Sequence, residues 1–348
     1  MLSYKFYKVS IYNLGAIINN KLINLLFISI LSVLMLTTCE EDDSDSIPDR
    51  DFKQDMRDFV QGISSYSEVI NSNFIIIPQN GHELLTENGE VTASPAVDYI
   101  NAIDGVGRED LFYGYDNDDE PTPKADNDNM IAFMDFAEIN GVEVLVTDYC
   151  SSQSNMDDSY AQNAANAYIS FAADHRELDN IPDYPATPYN VNTDNITSLT
   201  EAKNFLYLLN PGTFSTKVEF LNAIQNTNYD LVIMDLFFDD SDELTLNDVT
   251  SLKTKLNGGS RLLIAYMSIG ETEDYRYYWN SEWNNNPPMW LEEENPIFEG
   301  NFKVRYWDEE WQDIIFGNDN SYLKKILDAG FDGVYLDIID GFEYFEDL

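Results

Sequence analysis

From residue 51 onward, short apolar runs rich in β-branched and aromatic residues alternate with stretches of helical period. That is the pattern of parallel strands joined through helices. Eight runs read as strands: "NFIIIP" near Phe74, "VDYINAI" near Tyr99, "VEVLVTDY" near Val144, "FLYLLN" near Phe205, "DLVIMDLFF" near Val232, "RLLIAYMSI" near Leu263, "FKVRYW" near Val304 and "GVYLDII" near Val334. Among the helices, "DFKQDMRDFVQGISSYSEVI" sets Phe52, Met56, Phe59, Val60 and Ile63 on one stripe at the 3.6-residue period, and "YLKKILDAGF" does the same with Leu323, Ile326 and Leu327. "SYAQNAANAYISFAADH" predicts another helix.

Eight strands with helices in the gaps predict a (β/α)8 TIM barrel, with an open doubly wound sheet as the structural alternative. No strong linker splits the units, so residues 51–348 read as one domain. Their order is unusual. The domain opens on a helix with no strand before it and closes on a strand with no helix after it. In a closed barrel those ends are neighbours, so the helix near Phe59 is expected to cover the strand near Val334 and the barrel to close through its termini.

Ahead of the domain, Lys5, Lys8 and Lys21 precede an apolar stretch from Leu22 to Leu36, long enough for a signal h-region and short for a membrane span. Cys39 follows in "LMLTTC", a stretch that resembles a bacterial lipobox, although Thr38 stands where Gly, Ala or Ser is usual. Residues 1–39 therefore predict a signal peptide and 40–50 an acidic tether. The expected product is exported and lipid-anchored at Cys39 in the bacterial cell envelope, at the outer membrane or cell surface, against plain secretion or an uncleaved anchor.

Charge narrows the partners. With 63 acidic against 19 basic residues, a formal net charge of -44, the chain repels phosphate backbones and anionic headgroups and attracts cationic solutes. Nucleic acid is not an expected partner, and the membrane is expected only through the lipid anchor. Solubility alone also accounts for such a surface. The two cysteines and two histidines, His82 and His175, lack zinc spacing, and the Asp-rich loops lack the pattern of an EF-hand. No metal and no cofactor is predicted.

In a barrel the chemistry sits at the carboxyl ends of the strands. The residues there form a ring: Gln79, Asn80 and Glu83; Asp104, Arg108 and Glu109; Asp148 and Tyr149; Asp235; Ser268, Glu271 and Glu273; Trp307 and Asp308; Asp337 and Asp340. The ring is rich in acids and aromatics and poor in Ser, Cys and His. That mix suits glycoside chemistry, in which two carboxylates act on the scissile bond and aromatic faces pack on sugar rings. Serine hydrolysis fits badly, since a triad needs a histidine base and "SIGE" is no nucleophile elbow. "GVGRED" is too short for a phosphate-binding fingerprint. Acids at strand ends also cap helices or pair with arginine. Asp337 stands apart because its alternation with Val334, Leu336 and Ile338 places it beside Tyr335 on an inward face, where an unused carboxylate is costly.

Three stretches, "LLIAYMSIGETEDYRYYW", "VRYWDEEWQDIIF" and "GFDGVYLDIIDGFEYF", resemble the TIM-barrel glycosidases of family 114, the endo-α-1,4-polygalactosaminidase type with its bacterial and archaeal relatives. "FIIIPQNGHELL", "AIDGVGREDLFYGYDNDDEPTP" and "VLVTDYC" resemble the same group, so the likeness spans nearly all of residues 51–348. In that family the "VYLDIID" strand precedes the "PQNG" strand, whereas here "PQNG" comes first. The resemblance thus implies a circular permutation with the old termini joined within "IPDYPATPYNVNTDNITSL". It also implies an endo-acting glycosidase with Asp337 as nucleophile and Glu83 as general acid/base. The cleft would be lined by Tyr266, Glu271, Asp148, Asp235, Trp307, Asn80 and Asp340. The substrate implied is an amino-sugar polysaccharide, a cationic polymer suited to an acidic cleft. The motif around Glu83 reads Gln79-Asn80-Gly81-His82-Glu83 where the characterised enzymes have nearer to Asn-Arg-Gly-Phe-Glu. A noncatalytic glycan-binding surface lipoprotein is the alternative from another class.

Overall fold

The computed structural model describes residues 50–239 and 241–348; the signal segment, Cys39 and the tether up to Asp49 lie outside the described residues. The strands are β1 (Ile75–Pro78), β2 (Gly105–Glu109), β3 (Glu143–Tyr149), β4 (Ile169–Ala173), β5 (Phe205–Leu208), β6 (Leu231–Met234), β7 (Leu262–Ser268), β8 (Glu271–Glu273), β9 (Leu291–Glu294), β10 (Asn301–Val304) and β11 (Gly333–Asp337). The helices are α1 (Phe52–Ile70), α2 (Val97–Ile100), α3 (Lys124–Ile139), α4 (Gln153–Ala165), α5 (Lys217–Gln225), α6 (Leu246–Leu252), α7 (Glu309–Ile315), α8 (Tyr322–Ala329) and α9 (Phe342–Glu346).

Two sheets are parallel throughout, ordered β1-β11-β7-β6-β5 and β2-β3-β4. They meet at β1 and β2, where Gln79 bridges Gly107 in parallel, the Asp104 N–H donates to the Ile76 carbonyl (2.9 Å) and the Asn80 N–H to the Gly107 carbonyl (2.8 Å). Near the ends of β4 and β5, the Phe171 and Phe205 rings lie 5.7 Å apart, and the Leu209 N–H donates to the Leu178 carbonyl at 2.8 Å. Strands β1, β6, β7 and β11 are buried along their whole length, as parallel strands covered on both faces must be. The architecture is mixed α/β with parallel sheets, consistent with a TIM-barrel-like glycoside hydrolase.

Helix α1 begins where Asp51 accepts a hydrogen bond from the Gln54 N–H and buries the expected stripe of Met56, Phe59, Val60 and Ile63. It packs against α8 and α9, and Lys53 pairs with Glu346 of α9. The expectation that nothing helical follows the last strand is corrected: a 3-10 turn at Ile339–Gly341 and the five-residue α9 continue from β11.

Three other strand readings are corrected. The run near Tyr99 is helical, because Tyr99, Ile100 and Ile103 bury at helical rather than alternating spacing. The strand there is "GVGRE", whose glycines are demanded by close approach: a Cβ at Gly107 would sit 1.9 Å from the Tyr335 hydroxyl. The run near Val304 forms β10, which lies antiparallel between β8 and β9 outside the parallel sheets. The strand missed in its place is β4, hidden at the end of the helix "SYAQNAANAYISFAADH". α4 stops at Ala165, and Ala167 turns the chain at φ 66° into an apolar run that periodicity alone assigns to either element.

At the amino ends of the strands, the Lys255 ammonium and the Asp230 carboxylate are fully buried and paired at 2.7 Å. Asp230 also accepts from Asn192 Nδ2 (2.7 Å) and the Lys203 N–H (2.9 Å), so it ties the approach to β5 to the start of β6. Lys255→Met leaves this carboxylate without its counter-charge, and the expected loss is about 3–5 kcal/mol in denaturant unfolding. A loss below about 1 kcal/mol would mean that the pair behaves like an exposed one.

Candidate active site

Asp337 ends β11, between β1 and β7. Its carboxylate is 5% exposed and held from two sides: Tyr266 of β7 donates its hydroxyl to Oδ2 at 2.7 Å, and the Ile338 N–H donates to Oδ1 at 2.9 Å. Ile338 adopts φ 58°, a left-handed conformation that a β-branched residue rarely takes and that stores about 1–3 kcal/mol. Gly270, after β7, makes room for this turn, since a Cβ there would lie 2.2 Å from the Ile338 carbonyl oxygen. The strained turn keeps the Ile338 N–H on the Asp337 carboxylate and sends the chain into the 3-10 turn bearing Asp340.

After β1, Asn80 (φ 63°) and Gly81 (φ 52°) form a left-handed pair that leads into the 3-10 turn His82–Leu85, placing Glu83 with its side chain 28% exposed. A Cβ at Gly81 would be 2.7 Å from Ile339 Cγ2, so the turns after β1 and β11 pack directly on each other. His82 packs its ring on Phe133 (4.6 Å between centroids) and receives Arg108 Nη1 at its Nδ1 (3.3 Å). Burial pushes its pKa down to about 4, so it is neutral near pH 7, with Nε2 3.7 Å from Glu83 Oε1.

Beneath these turns lies a buried polar layer. Tyr207 of β5 donates to Gln79 Oε1 (3.1 Å), Gln79 Nε2 donates to Glu109 Oε2, and Tyr149 of β3 donates to Glu109 Oε1. Beside it, Tyr207 and Tyr335 meet edge to face at 5.2 Å. To one side a cleft of about 470 Å³ is lined by Asn210, Asp235, Phe237, Tyr266, Tyr275, Arg276, Phe298 and Asn301, among others. Tyr266 joins this cleft to Asp337.

The other sequence-derived residues fall in distinct places. Asp235 is on the cleft wall, in an ion pair with Arg276 (2.8 Å), which also pairs with Glu273. Glu271 is fully buried and accepts from Asn295 Nδ2 at 2.9 Å, bracing β8 against the β9–β10 hairpin. Asp148 is fully buried, accepting from the Phe112 N–H (2.8 Å), Ser159 Oγ (2.6 Å) and Asn163 Nδ2 (3.1 Å), so its carboxylate is spent on holding the loop after β2 to α4. Trp307 packs on Phe345 (4.6 Å), Tyr306 (5.0 Å) and Phe52 (5.2 Å), in an aromatic cluster that joins the start of α1 to α9. The side-chain amide of Asn80 turns inward to Glu109. The sequence reading passed over Arg276, Tyr275 and Phe298; the first two follow Glu271 within "ETEDYRYY", where alternating acids and aromatics carried the only available signal.

Residues 190–348 match the family model described as Glycoside-hydrolase family GH114, and that family domain indicates a glycosidase. The matched segment carries Asp235, Tyr266, Glu271, Asp337 and Asp340, and not Asn80, Glu83, Glu109 or Asp148. An uncharacterized protein of Methanocaldococcus jannaschii is 40% identical over 178 residues, 51% of this chain and 49% of that protein. Uncharacterized proteins of Thermotoga maritima and Deinococcus radiodurans are 40% and 39% identical over 121 and 123 residues, 35% of this chain and 36% and 37% of theirs. The chain thus spans about half or less of the length of these curated relatives.

Crowding of carboxylates sets the electrostatics. Burial raises Asp337 above the usual aspartate range, against the Tyr266 and Ile338 hydrogen bonds. Asp340 is driven well above it by burial and by the charges of Glu343, Asp337 and Glu83, with Arg108 opposing. Burial likewise brings Glu109 and Glu343 up to about 7 and Asp148 to about 6. For acids raised in this way the folded chain binds protons more tightly than the unfolded one. The penalty is absent below the unfolded values near 4 and complete above the folded values near 7. Folding stability should therefore fall as pH rises through that window, with Tm by calorimetry higher at about pH 5 than at about pH 8. A Tm that is flat, or that climbs toward pH 8, would contradict these shifts.

Proposed function

We propose that this protein is an endo-acting glycoside hydrolase of amino-sugar-containing polysaccharides, with Asp337 as nucleophile and Glu83 as general acid/base. What carries the reading is the Asp337 carboxylate, fixed by Tyr266 and the Ile338 N–H at a strand tip beside an aromatic and acidic cleft. The charges of both Asp337 and Glu83 act on Asp340, which puts the two carboxylates in one neighbourhood.

In this mechanism Asp337 attacks the anomeric carbon while Glu83 protonates the departing glycosidic oxygen. Glu83 then takes a proton from the water that displaces Asp337, giving net retention. The Tyr266 hydroxyl steadies the attacking carboxylate, and the strained Ile338 turn orients it. Phe237, Tyr275 and Phe298 offer apolar faces for sugar rings, and Asp235, Asn210 and Asn301 offer polar edges. Glu83, Asp337, Asp340 and Glu343 together favour a substrate bearing ammonium groups, with Arg108 as the nearby cation.

The same reading takes the two parallel sheets as one eight-stranded barrel in circularly permuted order. Its support is the parallel pairing of β1 with β11, which sets the "PQNG" strand beside the "VYLDIID" strand that it precedes in the chain. The reading also keeps the export of the protein and its lipid anchorage at Cys39 in the cell envelope.

On a de-N-acetylated amino-sugar polymer, Asp337→Asn is expected to lower kcat by at least about 10³ and Glu83→Gln by about 10²–10⁴, with oligosaccharide binding retained. NMR of the first-formed product should show the retained anomer. Turnover unchanged in D337N would remove Asp337 from the mechanism, and an inverted first product would reassign it from nucleophile to base. KM should rise when the same polymer is N-acetylated; equal KM values would remove the cationic preference.

A further inference from the structure

We infer that Glu109 is a positioning residue: its buried carboxylate clamps the left-handed Asn80–Gly81 turn and so sets the direction of Glu83. The inference rests on the reading of Glu83 as acid/base. Glu109 is fully buried on β2, and each of its side-chain oxygens faces donors from a neighbouring strand end: Tyr149 on Oε1, Gln79 and Asn80 on Oε2. Asn80 is held twice, since its Nδ2 donates to Glu109 Oε2 (3.3 Å) and its Oδ1 accepts the Glu109 N–H (3.3 Å).

That double hold matters because Asn80 is not at rest. A non-glycine residue at φ 63° is uncommon and persists where its surroundings over-determine it. The Asn80 N–H is also anchored to the Gly107 carbonyl at 2.8 Å, so both its backbone and its side chain are fixed on β2. Glu83 lies three residues further on, in a 3-10 turn without a side-chain cap. Its heading is therefore inherited from the Asn80–Gly81 pair. With no exposed surface, Glu109 is closed to a sugar and acts through Asn80.

The test uses Glu109→Met, which keeps roughly the volume and removes the carboxylate acceptors, and Asn80→Gly, which tolerates positive φ and removes the amide. Amide hydrogen exchange over residues 80–86 should rise about tenfold in each, with β6 unchanged. The kcat on the amino-sugar polymer should fall about 10²-fold with little change in KM. The double variant should lose no more than either single one, because both cut the same link. Wild-type exchange over 80–86 in E109M overturns the clamp, and wild-type kcat with raised exchange overturns its bearing on catalysis. If E109M fails to fold, N80G decides alone, wild-type exchange and kcat there overturning the inference. If the native protein hydrolyses no such polymer, the catalytic reading of Glu83 is what has failed, and the exchange measurement still decides the clamp.

Discussion

Strand β11 lies between β1 and β7, paired in parallel with both, and the arrangement of the site follows from that position. Pairing with β7 aligns Tyr335 with Tyr266 and Asp337 with Ser268, which brings the Tyr266 hydroxyl to the Asp337 carboxylate. Pairing with β1 aligns Leu336 with Pro78, so the turns after the two strands emerge side by side, and Gly81 lies against Ile339. A one-residue slip in either register would turn Asp337 to the opposite face of the sheet. Register at a single strand thus decides whether the nucleophile, its hydroxyl donor and the acid-bearing turn can act together.

Buried carboxylates carry a desolvation cost, and the interior meets it in different ways at its two ends. At the amino ends of the strands the charges are matched: Asp230 with Lys255, and Asp332 with Lys253. Those pairs hold strand entry points in place. At the carboxyl ends, Glu109, Asp337 and Asp340 have no lysine or arginine within ion-pairing distance and are supported by hydroxyls, amides and backbone N–H groups instead. Neutral donors stabilise a carboxylate less than a cation does, so these acids titrate high, the condition that proton transfer near neutral pH requires. Asp235, paired with Arg276, is the exception and stands on the cleft wall.

Much of this was legible in the sequence where burial is two-sided. "LLIAYMS" and "GVYLD" are unbroken apolar runs with a polar tip, and they become β7 and β11. Legibility failed where the deciding contact is long-range. The strand "GVGRE" has almost no β signal of its own; its glycines are set by Tyr335, more than two hundred residues away in the chain. β4 was absorbed into a helix because a five-residue apolar run carries no period. Asp148 and Glu271 read as rim acids from their positions at strand ends. Whether such an acid faces a cleft or is consumed by Ser159, Asn163 or Asn295 depends on side chains that only the packed fold brings near.

Strain is concentrated where the chemistry is placed. Ile338 and Asn80, the non-glycine residues at positive φ nearest the two catalytic carboxylates, each follow within one residue of a barrel-strand end or its bridge extension. Each is fixed by contacts from a neighbouring strand: Ile338 by Gly270 after β7, Asn80 by Glu109 and Gly107 of β2. Regular strands project successive side chains to opposite faces, so an extended chain would aim Asp337 and Glu83 by parity alone. A left-handed residue breaks that parity and lets each carboxylate be aimed independently of the sheet. The conformational cost falls on two residues, and the rigidity that bears it comes from the parallel strands beneath.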